Sequence, residues 1–139
     1  MSQDLRGADL RGADLREALY PIRLDVWAVL DQAPSEVAGL RAALASGNVD
    51  GSVYKGACAC LVGTIATVRG CDVDALDIRA DSSRPAEQWF MPIRKGDAPA
   101  DTGAEPTIEG VFRATLAVQW IDEWRASREA IAAAFGAAA

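Results

Sequence analysis

At 139 residues the chain has room for one domain, or for one domain with an appendage. Half of it is apolar and 24% is charged, ordinary values for a globular protein and far from those of disordered chains. A net charge of −6, with no basic stripe in the sequence, argues against nucleic acid as a partner. The absence of histidine excludes Ser-His-Asp and Cys-His nucleophile pairs, histidine-based zinc motifs and histidine pH sensing.

The first twenty residues contain Asp4, Arg6, Asp9 and Arg11, so they hold no apolar export-signal core. The longest uncharged stretch, Gly56 to Val68, is too short to span a bilayer as a helix, and no membrane association is expected. Three cysteines cannot all pair within one chain. Together these features predict a cytoplasmic protein with free thiols.

The opening residues repeat with a period of five, as Ala8-Asp9-Leu10-Arg11-Gly12 and Ala13-Asp14-Leu15-Arg16-Glu17. Such a period suits neither a helix nor a simple strand, but it suits a solenoid in which Leu5, Leu10 and Leu15 point inward. Residues 3–19 resemble the pentapeptide-repeat family, which implies a right-handed β-helix. Three and a half repeats make less than one turn of such a solenoid, and a lone turn has nothing to stack upon. The segment therefore reads as a stub, residues 1–20, whose leucines would seek another chain or lie on the domain that follows.

From residue 21 onward the spacing predicts helices. Pro21 is suited to a helix start, and Ile22, Val26, Val29 and Leu30 follow helical spacing up to Pro34. Pro34 opens a second helix with Val37, Leu40 and Leu44 buried and Gly47 as its C-terminal stop. Residues 57–69 are apolar or small nearly all round. Their bulky stripe is Leu61, Ile65 and Val68, and their small stripe is Gly56, Cys60, Gly63, Thr64 and Thr67. Several of these residues are β-branched, which keeps a buried strand as the rival, but the length favours a helix. The run Ser83-Arg84-Pro85 starts a short helix that Pro92 stops. A loop over residues 96–106 leads to a last helix from about Val111 to Ala134. Phe112, Leu116, Trp120, Ile121 and Trp124 are its expected buried residues, with the alanine-rich end fraying. The expected fold is mainly α: a compact domain of five or six helices over residues 21–135, and a frayed tail at 136–139.

No catalytic set emerges, and no cofactor is expected. Cys58, Cys60 and Cys71 lack a fourth zinc ligand, and on a helix positions i and i+2 diverge, so no metal site is expected either. The group that suggests binding is Arg69, Arg84 and Trp89, with Tyr54 and Lys55 nearby in sequence. Guanidinium groups suit planar anions, and an indole stacks on rings. The competing assignment pairs both arginines with Asp72, Asp77 or Glu87. The candidate interface residues are Leu5, Leu10, Leu15, Gly56, Cys60, Gly63 and Thr67. The runs from Gly51 to Ala66, from Ser83 to Phe90 and from Trp120 to Trp124 are similar to an uncharacterised helical domain that follows pentapeptide repeats in bacterial and bacteriophage proteins. The leading functional reading is a non-enzymatic interaction module, acting by self-association or on a host protein. The alternative is a binder of a small anionic, nucleotide-like ligand.

Overall fold

The computed structural model describes residues 13–51, 60–72, 75–76, 78, 81, 83–99 and 108–135. Leu5, Leu10, Tyr54, Lys55, Gly56 and Cys58 lie outside the described residues, as does the side chain of Leu15. The described part is helical: α1 (Ala13–Gln32), a 3-10 turn (Pro34–Glu36), α2 (Val37–Ala45), α3 (Leu61–Arg69), α4 (Pro85–Phe90) and α5 (Ile108–Ala134).

The first helix does not open at Pro21. It runs from Ala13 through the last five-residue repeat and carries Pro21 in its interior. A proline there removes one helical hydrogen bond, the one its amide would donate to the carbonyl of Glu17. Both residues are exposed, so water can satisfy that carbonyl. Burial of Val26, Val29 and Leu30 further along holds the helix.

The helical stripes of α1 and α2 converge with Leu61, Val62 and Ile65 of α3, Phe90 of α4 and Ala117 and Ile121 of α5 in one core. Of the stretch 57–69 expected to be helical, residues 61–69 are a helix whose first six residues are buried, Cys60 is an extended residue at its start, and 57–59 lie outside the described residues. Its end differs from expectation: Val68 is partly exposed and packs on Gly39 of α2, where an added Cβ would lie 2.5 Å from Val68 Cγ1. The close helix approach visible here is therefore made at Gly39 rather than by the small stripe alone. Arg41 of α2 clamps Asp122 of α5 with two bonds, of 2.7 and 3.1 Å.

Along α5 the buried positions Gly110, Ala114, Ala117, Ile121 and Trp124 alternate in steps of four and three, the period of a helix-packing seam. Phe112 is off that seam and is exposed, contrary to expectation, and Leu116 is half-buried. The alanine-rich end is still helical to Ala134.

After α2 the chain crosses the segment that follows α4. The Gly96 amide donates to the Gly47 carbonyl at 2.8 Å, and the Gly51 amide donates to the Ile93 carbonyl at 2.7 Å. At Gly51 a Cβ would sit 1.8 Å from the Phe90 carbonyl oxygen, so backbone would have to move. Gly70, which ends α3 with φ +85°, has no neighbour within 4 Å of such a Cβ. Gly51→Ala is expected to lose at least about 2 kcal/mol through overpacking against backbone. Gly70→Ala is expected to lose only about 1 kcal/mol, from conformational strain alone. Urea melts of the two variants should keep that order, and equal losses would contradict the crossing.

Candidate functional site

The two arginines singled out in sequence are each matched to a carboxylate, though not to the acids expected. Arg69, at the end of α3, donates to Glu36 Oε1 at 3.0 Å. Arg84 grips both oxygens of Asp25 on α1, at 2.9 and 2.7 Å. The guanidinium beside it holds the Asp25 carboxyl below its ordinary range. Trp89 is buried; its indole N–H donates to the Arg113 carbonyl at 3.0 Å, and its ring lies against Trp120 with centroids 5.0 Å apart. It is Arg113 that stacks on this indole, 4.5 Å from the ring centroid. Arg113 is also bonded to Glu109 at 2.9 Å and to the Trp89 carbonyl at 3.1 Å.

Two carboxylate contacts, one half-buried and one buried, tie α4 to its neighbours. Neither α3 nor α4 begins with a capping side chain of its own. For α4 the acceptor comes from α1: Asp25 Oδ2 takes the Ala86 amide at 2.9 Å. For α3 it comes from α4: Glu87 Oε2 takes the Val62 amide at 3.1 Å. Both amides belong to the second residue of their helix, where a donor has no partner within the helix and the dipole favours negative charge.

Glu87 is only 2% exposed, and burial raises its pKa against the lowering effect of the Val62 and Leu61 amides. The Cys60 thiol donates to the same oxygen at 3.9 Å. Burial and the adjoining carboxylate push that thiol up to about 12, so it remains a neutral packing group. Cys60 and Gly63 are both buried inside the domain, so neither offers a surface to a partner. Thr67 is exposed, and its hydroxyl donates to the Gly63 carbonyl at 3.1 Å. Among the described residues no group of three or more Cys, Asp or Glu could hold a metal ion, and no helix is long and apolar enough to cross a membrane.

Two surface features lie beyond these contacts. One is an open groove of about 460 Å³ between α1, α4 and α5. Apolar Leu19, Ile22, Pro85 and Trp89 line it, together with polar Ser83, Gln88 and Arg113. The other is the end of α5. Asp31 of α1 receives the Trp124 indole N–H at 2.9 Å and pairs with Arg128. Past that point every residue from Glu129 to Phe135 is exposed. The steps of three and four nevertheless continue through Arg128 to Ile131, 50% exposed, and Phe135, 74% exposed. The sequence showed this end only as an alanine-rich run, although the spacing of Ile131 and Phe135 from Trp124 was readable in it.

No protein-family model, no curated protein and no solved structure matches the chain.

Linkage gives Glu87 and Asp25 opposite pH signatures. The folded state binds the Glu87 proton more tightly than the unfolded chain, whose value is 4.5. Its stabilising contribution is complete below that value and is lost as pH rises through the raised folded value. The contribution of Asp25 is present above 3.8 and is lost as pH falls through its lowered value. Glu87→Gln keeps a carbonyl acceptor for the Val62 amide and carries no charge. Wild-type stability relative to this variant should therefore fall as pH rises from the acid range to neutrality. Urea midpoints of both proteins over that range check the sign, and a difference that grows in favour of wild type would contradict the burial of Glu87.

Proposed function

We propose that this chain is a non-catalytic protein-interaction module of bacterial or phage origin, with the free end of α5 as its docking element. The observation that carries the reading is the apolar seam that outruns its own core. Ile131 and Phe135 keep the packing period of α5 after α1 has ended, and nothing among the described residues covers them. An apolar stripe in register with a packed seam is what a partner helix or groove requires. The small-anion alternative loses its premise, because Arg69 and Arg84 are already matched to Glu36 and Asp25.

The test is the double substitution Ile131→Asp with Phe135→Asp. Both residues are exposed, so the thermal midpoint should stay within a degree or two of wild type, as surface substitutions usually alter stability by less than about 0.5 kcal/mol. Light scattering after size exclusion, together with affinity capture from a bacterial host, should show an assembly with wild type that is lost in the variant. A wild-type monomer that captures nothing, or an assembly indifferent to the substitutions, would refute the proposal.

A further inference from the structure

We infer that the occupant of the α5 overhang is a second copy of this chain, whose groove between α1, α4 and α5 receives Ile131 and Phe135. This inference rests on the reading of the overhang as a docking element. One chain carries both an apolar projection and an apolar groove that the described residues leave open. At about 460 Å³ the groove falls within the size range of binding clefts, with room for an aliphatic and an aromatic side chain.

Helix geometry fits closure. Arg113 and Ile131 are eighteen residues apart on α5, roughly 27 Å at the rise of an α-helix. Two copies with antiparallel α5 helices therefore place each overhang beside the other's groove, an isologous arrangement with two equivalent joints.

Buried area then separates this occupant from simple end-to-end pairing of the two overhangs. With a phenylalanine burying about 150–250 Å², one overhang covers on the order of 300 Å², and the groove loses a similar area. Two such joints total roughly 1,200 Å², the lower bound of specific interfaces, whereas overhang against overhang reaches about half of that. A reversible dimer follows.

The experiment uses the full chain, with light scattering over a dilution series. Phe135→Asp removes the projection. Leu19→Asp and, separately, Gln88→Phe spoil the groove, the second by filling it from an exposed position, and circular dichroism confirms folding of each. Wild type should be a dimer that dissociates on dilution, and each variant should weaken the dimer at least tenfold. An equimolar mixture of Phe135→Asp with Leu19→Asp should associate more than either variant alone, because the heterodimer keeps one intact joint where each variant homodimer keeps none. A dimer lost with Phe135→Asp but retained by both groove variants overturns the inference and leaves the docking element standing. So does a monomer whose overhang captures a host protein. A monomer that captures nothing overturns both readings.

Discussion

The amide of Ala86 donates to a carboxylate of α1, and one residue later Glu87 lends its own carboxylate to the start of α3. Through these two contacts a helix of only six residues, α4, joins the long N-terminal helix to the buried one. An isolated helix of that length has almost no stability in water, because fixing the first turn costs the backbone freedom of several residues for a single hydrogen bond and few bonds follow to offset it. Pro85 gives α4 a preset first residue with no amide to satisfy, and Asp25 satisfies the next amide while pairing with Arg84. Only with α4 held in this way does Glu87 stand where α3 needs an acceptor. The same helix places Trp89 under α5, so three packing surfaces depend on one short element.

Around this clasp the polar work of the domain is done by arginines and indoles. Trp27 donates to the Trp120 carbonyl at 3.0 Å, Trp89 to the Arg113 carbonyl and Trp124 to Asp31, so the buried indoles of Trp89 and Trp124 and the half-buried one of Trp27 all have their N–H satisfied. Guanidiniums cover the outer faces: Arg23 lies 4.5 Å from the Trp27 ring, Arg113 the same distance from Trp89, and Arg128 5.1 Å from Trp124. Each of these arginines also has an acid within reach, namely Glu123, Glu109 and Asp31. The exposed pairs contribute little alone, but they fix which way each guanidinium lies. That fixed arrangement leaves the end of α5 as the place where apolar periodicity and cover part company.

The helices α2, α3 and α5 are legible because their apolar residues keep a helical period, and Gly47 ends α2 and Pro92 follows α4 as local chemistry dictates. The start of α1 was not legible. Its five-residue period suggested a solenoid, and Pro21 looked like a boundary, whereas packing further along tolerates an exposed proline inside the helix. Phe112 is exposed because it lies off the seam, which the alternation from Gly110 to Trp124 marks and hydrophobicity alone does not. The arginine site failed for a different reason. Asp25 and Glu36 lie 59 and 33 residues from Arg84 and Arg69, and only folding brings them together. The buried acid that matters most, Glu87, looked in sequence like one surface charge among several. Helix capping across elements leaves no short motif.

The claim that α4 transmits order from α1 to α3 is tested most directly by amide hydrogen exchange in Asp25→Ala. Asp25 has no hydrogen bond to α3, whereas among the described residues the Val62 amide has Glu87 as its side-chain acceptor. The account predicts that the substitution speeds exchange at Ala86 and, by loosening α4, at Val62 as well. Amides inside α2, such as that of Leu44, should change only by the global loss of stability. Faster exchange at Ala86 with Val62 no more affected than Leu44 would contradict the account, because α3 would then hold its start without the clasp.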